Sequence, residues 1–167
     1  MVSAALLLTG TLQAQVPIEA PPVAPTYQTV ERLGGSFGLG GSMGTPTGLN
    51  GRLWFSDEAA IQFSFGGNLG VRNSLSAGFD YIVGMGRFAE AEGHYFVRTY
   101  AGAGVGLDAF VDGDLTTMSF GPRGVVGASL TVPTLPIDVF VQVNPTIYLV
   151  DRFGWSMGGQ MGAHYYF

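Results

Sequence analysis

The sequence predicts an all-β fold, specifically a closed, antiparallel, eight-stranded, up-and-down barrel. Along most of the chain, apolar residues alternate with small or polar ones, and this period of two is that of an extended strand. Turn residues interrupt the alternation at regular intervals. Mean hydropathy is +0.31 and only 11% of residues are charged, against roughly 25% in soluble domains. No apolar run approaches the roughly 18 residues that a membrane helix needs.

The last strand shows the alternation most clearly. The odd-numbered residues from Phe153 to Phe167 are aromatic at both ends and Met, Gly or Ala between them. The even-numbered residues from Gly154 to Tyr166 are mostly small or polar. A strand that faces lipid has this distribution, with an apolar band between aromatic girdles and a polar inner face.

Seven further segments repeat this pattern, and turn residues such as Thr45–Gly48 and Asp112-Gly113 separate them. The longest connection is expected at 86–93. Pro122 and Pro145 fall inside predicted strands, where proline cannot donate to the ladder. Each is therefore expected at a bulge or above the level of the bilayer. The eight predicted strands are 33–43, 49–55, 61–69, 75–85, 95–108, 118–130, 137–149 and 153–167.

The charged residues indicate which face lies inside. They share one face of the strands with several amides, whereas the opposite face is essentially uncharged. An arginine turned toward lipid would cost roughly 2–4 kcal/mol near the midplane, so the polar face is predicted to line the interior of a transmembrane barrel. Eight strands leave room only for side chains, which are expected to form a hydrogen-bonded plug. This predicted lumen polar network comprises Arg52, Gln62, Asp80, Arg98, Asp108, Arg123, Asp138, Gln142, Asn144 and Gln160.

The first 32 residues differ in composition from the rest of the chain. Residues 1–14 contain a short apolar core and end on Leu12-Gln13-Ala14, which predicts a signal peptide; a short apolar first helix is the alternative. Residues 15–32 contain four prolines and predict an extended linker. The barrel is therefore assigned to residues 33–167.

Nothing in the sequence predicts an enzyme, a cofactor or a metal site. The net charge of −5 gives no support to nucleic-acid binding, and the chain contains no cysteine. His94 and His164 are the only histidines, and no metal-binding motif frames them. Glycine repeats such as 102–106 lie inside predicted strands and do not join a strand to a helix, as phosphate-binding loops do.

The end of the chain resembles the assembly signal of bacterial outer-membrane barrels, with Gln160, Gly162, Tyr165 and Phe167 at its characteristic places. Residues 33–167 resemble small eight-stranded Gram-negative outer-membrane barrels of the OmpA-transmembrane or OmpX-like type. The resemblance implies a monomer in the outer membrane, inserted by the barrel-assembly machinery and in contact with lipid and lipopolysaccharide. It also makes residues 15–32 a periplasmic linker.

Two loop arginines, Arg72 and Arg152, are candidates for contact with lipopolysaccharide phosphates, because guanidinium groups form strong hydrogen bonds with phosphate. The loops that carry them are short, whereas the family tends to have longer extracellular loops. This difference weakens the case for an adhesin or a receptor.

Three functions follow from this fold. The first is a non-enzymatic barrel with a structural or surface-interaction role, and the second is a narrow channel or carrier for small or apolar solutes. The third is a soluble, lipocalin-like ligand-binding barrel with its apolar residues inward. The direction of Phe63, Phe79 and Val141 distinguishes the third from the other two.

Overall fold

The computed structural model describes residues 35–56, 58–68, 74–91, 95–112, 115–132, 134–150 and 153–167. The predicted leader and linker lie outside these residues, as do His94, Arg72 and Arg152. No helix in the described part of the chain is long and apolar enough to cross a membrane. The strands are β1 (Phe37–Gly44), β2 (Thr47–Trp54), β3 (Ala59–Gly67), β4 (Ser74–Ala91), β5 (Tyr95–Asp112), β6 (Leu115–Thr131), β7 (Ile137–Tyr148) and β8 (Gly154–Tyr166).

The strands form a closed antiparallel barrel in which each pairs with the next and β1 pairs with β8. The closing register places Leu39 opposite Tyr165 and Gly44 opposite Gln160. The predicted fold class is therefore confirmed. The barrel has two ends: the Phe167 rim, where β8 ends, and the Gly154 rim, where β8 begins.

The two faces of the wall separate apolar from polar side chains. In β7, exposed and buried residues alternate without interruption from Ile137 to Pro145. Phe79 and Val141 point away from the axis and are each 55% exposed. Phe63 lies on the same outer surface, where its ring covers Gly51. The apolar set is therefore on the outside of the barrel, as the charges predicted.

The predicted long connection at 86–93 is wrong. β4 continues to Ala91 and pairs with β5 up to Tyr95. Two register shifts, between Gly84 and Gly86 and between Arg87 and Ala89, accommodate extra residues in β4. Such bulges disturb the alternation of side chains while the ladder continues, and this is why the sequence pattern appeared to end at Met85.

Of the two alternatives predicted for Pro122 and Pro145, the bulge is wrong, and their level relative to a bilayer stays a prediction. Both prolines lie inside continuous strands, β6 and β7. The register between these strands has the same offset on both sides of the prolines, with Phe120 opposite Leu149, Arg123 opposite Thr146 and Val126 opposite Val143. An inserted residue would have changed that offset.

Several inward-facing glycines allow a neighbouring strand to approach closely. A Cβ atom on Gly104 would lie 2.0 Å from the Phe79 carbonyl oxygen and 2.6 Å from Asp80 Cα. A Cβ atom on Gly40 would lie 1.8 Å from the Ala163 carbonyl oxygen. The abundance of glycine thus has a steric cause in the tightly curved wall of a small barrel.

We predict that Gly104→Ala destabilises the barrel by roughly 1–3 kcal/mol, the usual cost of overpacking, because its methyl group would meet rigid backbone atoms. Gly154→Ala is the matched control, since no atom lies within 4 Å of the Cβ that it would add. Urea unfolding in detergent micelles measures the difference. Equal midpoints for the two variants would contradict the steric explanation.

Candidate functional site: the barrel interior

The structure places the predicted polar network on the inner face of the wall. Nine of the ten side chains are buried, and Arg98 is partly exposed. Arg98 lies near the Phe167 rim, with its guanidinium 5.3 Å from the Trp54 ring centre and 5.7 Å from that of Phe96. It therefore lies among aromatic rings at one end of the interior.

A chain of side-chain amides crosses the interior. Arg52 Nη2 donates to Gln62 Oε1 at 2.6 Å, and Gln62 Nε2 donates to Gln142 Oε1 at 3.0 Å. Gln142 Nε2 in turn donates to Gln160 Oε1 at 2.7 Å. These contacts join β2 and β3 to β7 and β8, and the bond between Gln62 and Gln142 links two strands on opposite sides of the barrel. Each amide accepts from the preceding side chain and donates to the next, so all three have the same orientation.

Gln160 connects this chain to the turn between β1 and β2. Its Oε1 also accepts from Asn144 Nδ2 at 3.0 Å and from Arg123 Nη2 at 3.4 Å. Its Nε2 donates to the Pro46 carbonyl at 3.0 Å and to Ser42 Oγ at 3.3 Å. Pro46 is buried, so the turn folds into the barrel and covers part of the interior from the Gly154 rim.

Aromatic rings surround Arg52, which is fully buried. Its guanidinium carbon lies 4.6 Å from the Tyr100 ring centre, 5.5 Å from that of Phe140 and 5.8 Å from that of Trp54. Asp138 Oδ2 lies 3.4 Å from Arg52 Nη1 and neutralises the charge. Stacked rings and a carboxylate together suit a planar, weakly hydrated guanidinium better than a lysine ammonium.

Asp138 is shared among three partners. Besides Arg52, it accepts a hydrogen bond from Tyr166 Oη at 2.8 Å and contacts His164 Nδ1 at 2.8 Å. His164 Nε2 lies 2.7 Å from Asn50 Oδ1, while Asn50 Nδ2 makes no hydrogen bond within the described residues. Exchanging the two atoms of this amide lets Nδ2 donate to Nε2 of a neutral His164, and we assign that orientation because it gives the amide donor and the ring nitrogen a partner, while Oδ1 takes the place without one. A neutral His164 then donates to Asp138.

The second ion pair lies nearer the Gly154 rim. Arg123 Nη2 is 3.4 Å from Asp80 Oδ2, and both side chains are buried. Within the described residues, neither Asp80 carboxylate oxygen makes a hydrogen bond, and the same holds for Arg123 Nε, Ser64 Oγ and Asn144 Oδ1. This part of the interior is therefore less fully hydrogen-bonded than the surroundings of Arg52.

An open cavity lies between Arg123 and the Gly154 rim, and we call it the vestibule. Its free volume is about 20 Å³, which is room for about one water molecule, and its walls include Arg123, Asn144, Thr146 and Tyr148. Asp108 lies in its wall and accepts hydrogen bonds from Ser76 and Tyr148. Both charges of the vestibule, on Arg123 and Asp108, thus already have partners.

The four residues of the assembly-signal pattern fall on both faces of β8. Gln160 and Gly162 face inward, where Gln160 has five hydrogen-bonding partners and Gly162 lies against the Phe140 ring. Tyr165 and Phe167 lie on the outside, with ring centres 5.0 Å apart. Gln160 therefore contributes to the structure of the folded barrel, independently of any part that the pattern plays in assembly.

The predicted resemblance to small eight-stranded outer-membrane barrels is confirmed for the architecture. No family model matches the chain, and no curated protein matches it. Among solved structures, it is similar to the crystal structure of the N-terminal β-barrel domain of Pseudomonas aeruginosa OprF. The sequence identity is 14%, the match covers 78% of this chain and 96% of that one, and the TM-score is 0.47.

The interior groups are arranged to bind one another. No three His, Cys, Asp or Glu side chains in the described ranges are grouped so that they could hold a metal ion. His164 contacts a carboxylate and an amide, and Phe140 stacks on its ring at 4.7 Å. Its two ring nitrogens are therefore both engaged, and neither contacts a hydroxyl group that it could activate as a nucleophile.

The predicted network lacks several of the side chains that belong to it, namely Asn50, Tyr100, His164 and Tyr166. Their positions in the alternation place them all on the inward face, so the pattern contained the signal. The inward fold of the turn at Pro46 had no such signal, because alternation says nothing about the path of a turn.

We predict that Gln160→Leu lowers the free energy of unfolding by at least about 2 kcal/mol, since it leaves several buried groups without a partner at roughly 1–3 kcal/mol each. Met161→Leu, one residue away on the exposed outer face, is the matched control and should change stability little. Urea unfolding in micelles gives both values. If the Gln160→Leu variant is as stable as the control, the hydrogen bonds of Gln160 contribute nothing to the free energy of unfolding.

Proposed function

We propose that this chain is an integral bacterial outer-membrane protein with a side-chain-filled interior and a structural or surface-interaction role. The observation that carries this proposal is the inversion of polarity across the wall. Arg52, Asp80 and Asp138 are buried around the axis, whereas large apolar side chains cover the outside.

The outer surface supports a lipid environment because its apolar cover is continuous. Exposed apolar patches on soluble monomers rarely exceed a few hundred Å², whereas here every strand contributes to one band. Aromatic side chains mark both ends of the band, as in membrane barrels. Near the Phe167 rim these are Phe37, Phe55, Tyr95, Tyr165 and Phe167, and near the Gly154 rim they are Phe120, Phe153 and Trp155.

The side chains that fill the interior favour a closed barrel and not an open pore. The chain of amides from Arg52 to Gln160 crosses the axis, and the rings of Trp54, Tyr100 and Phe140 fill the space around Arg52. The vestibule is the open part of the interior, and the buried contacts of Gln160 lie at its inner end.

The soluble ligand-binding alternative requires an apolar cavity. The side chains that would have to line it, Phe79 and Val141, are instead among the exposed residues of the outer surface. The vestibule has serine, threonine and charged residues in its walls. These observations favour the membrane protein.

The two tryptophans allow a direct test of membrane placement. Trp54 lies inside and is 5% exposed, whereas Trp155 lies outside and is 75% exposed. We predict that lipids brominated in their acyl chains quench Trp155, studied in a Trp54→Phe variant, after reconstitution into bilayers. Trp54, studied in a Trp155→Phe variant, should be quenched much less, because the wall separates it from lipid.

The same pair of variants gives the outcome that would contradict the proposal. If acrylamide in water quenches Trp155 and brominated lipid does not, the outer surface faces water. The chain would then be a soluble barrel.

Electrical recording distinguishes a closed barrel from a narrow channel. We predict that the reconstituted protein leaves the conductance of a planar bilayer unchanged, because hydrogen-bonded side chains cross its axis. Its conductance is compared with that of a Gln142→Ala, Gln160→Ala double variant, which lacks two of the three amides. Reproducible single-channel steps with the unaltered protein would favour the channel or carrier.

A further inference from the structure

Two buried polar atoms in the wall of the vestibule have fixed roles and make no hydrogen bond within the described residues. Arg123 Nε can only donate, because a guanidinium has no acceptor, and Asn144 Oδ1 can only accept. Both residues line the vestibule, and their exposed fractions are 6% and 2%. A buried polar atom without a partner costs roughly 1–3 kcal/mol, so these two atoms indicate a binding site.

The orientation of the Asn144 amide follows from its neighbours. Gln160 Nε2 donates to the Pro46 carbonyl at 3.0 Å, and a carbonyl can only accept. Gln160 Oε1 therefore faces Arg123 Nη2 at 3.4 Å and the Asn144 amide at 3.0 Å. Only the Nδ2 atom of Asn144 can donate to that oxygen, so its Oδ1 atom is turned away from Gln160.

The side chains that carry these two atoms converge on one region of the interior. Arg123 and Asn144 both donate to the same oxygen of Gln160. A Cβ atom on Gly106 would lie 3.5 Å from both Arg123 Cδ and Thr146 Oγ1, so the Thr146 hydroxyl is also close to the Arg123 side chain. A donor, an acceptor and a hydroxyl group that can act as either thus line the same space.

The size and the charges of this space determine what it can bind. Its free volume of about 20 Å³ is room for one water molecule and excludes an organic ligand. A cation would lie beside the Arg123 guanidinium, and an anion would lie beside Asn144 Oδ1 and the Asp108 carboxylate. The ligand that fits is therefore a neutral molecule that both donates and accepts, and water is such a molecule of this size.

The seam between β6 and β7 lacks backbone hydrogen bonds next to this space. Leu149 N donates to the Phe120 carbonyl across the seam. Alternate residues of an antiparallel strand face the same neighbour, so Pro122 and Pro145 also face the seam, where neither has an N–H to donate. The backbone pairing is accordingly interrupted directly after Arg123.

We propose that the vestibule binds one ordered water molecule, which accepts a hydrogen bond from Arg123 Nε and donates one to Asn144 Oδ1. Thr146 supplies a third partner, and about three hydrogen bonds are typical of a buried water molecule. The water joins β6 to β7 on the inner face of the seam, where the two prolines remove donors. This site is independent of the membrane placement, because it depends only on groups inside the barrel.

The Nε–H proton of Arg123 reports on this water directly, and that of Arg52 is the matched control. Arg52 is fully buried, and its Nε donates to Gln62 Oε1 at 3.2 Å. In micelles, we expect a nuclear Overhauser effect between water and the Arg123 proton, with the sign of effects within the protein because the water tumbles with the barrel. We expect none for the Arg52 proton. Arg123→Lys and Arg52→Lys variants assign the two signals, and rotating-frame spectra separate contact from proton exchange.

A second variant displaces the water. Gly106→Ala fills part of the space with a methyl group, whose nearest neighbour would be the Thr146 methyl carbon at 3.2 Å. The contact between the Arg123 proton and water should then be lost. Gly154→Ala, which has no atom within 4 Å of its added Cβ, should leave that contact unchanged.

Three results would overturn the inference. The first is no contact with water at Arg123 in the unaltered protein, and the second is a contact that persists in Gly106→Ala. The third is an equal contact at Arg123 and Arg52, because water would then permeate the whole interior. The comparison of the two arginines needs no change in the vestibule, so it remains decisive if Gly106→Ala does not fold.

Discussion

The structure depends on one constraint: polar side chains inside an eight-stranded barrel have to satisfy one another. The interior is too narrow for the hydration that Arg52 or Asp138 would have in water. An unpaired buried charge costs several kcal/mol, so each of these groups is placed where acceptors, donors and rings converge. The amides of Gln62, Gln142 and Gln160 meet this need well, because each supplies both a donor and an acceptor.

The outer face and the inner face were predictable from the sequence because side chains alternate regularly in β7 and β8. Alternation assigns a residue to a face, and in this way it placed Arg52, Asp138 and Gln160 correctly on the inward side. It does not specify partners, which depend on how strands on opposite sides of the barrel are positioned. The contact between Gln62 and Gln142 joins β3 to β7, and no local pattern encodes it.

The incorrect predictions have physical causes too. The shifts near Gly84 and Arg87 change which face successive residues occupy, so a continuous strand resembled a loop. The prolines were expected to distort the backbone, but they remove donors and leave the register intact. The inward turn at Pro46 depends on Gln160 and Ser42, which are distant from one another in sequence.

The interior divides into two unlike halves. Toward the Phe167 rim, Trp54, Tyr100 and Tyr166 belong to a packed cluster of buried residues, and their polar atoms bond to the network around Arg52 and Asp138. Toward the Gly154 rim, short side chains such as Ser76, Thr146 and Ser156 leave the vestibule open. A solute that entered from the Gly154 rim would therefore meet the buried, hydrogen-bonded side chains of Gln160 and then Arg52.

This division explains how the wall tolerates two prolines in one seam. In a closed barrel the backbone groups of each strand pair with its neighbours. The β6–β7 ladder lacks two donors, because Pro122 and Pro145 face this seam and proline has no N–H. Gln160 compensates from the inside, because it binds Arg123 of β6 and Asn144 of β7 through a single oxygen. The hydrogen bonds that close the interior thus also hold the interrupted β6–β7 seam together, and any event that draws Gln160 away from these two donors would loosen the wall at that seam.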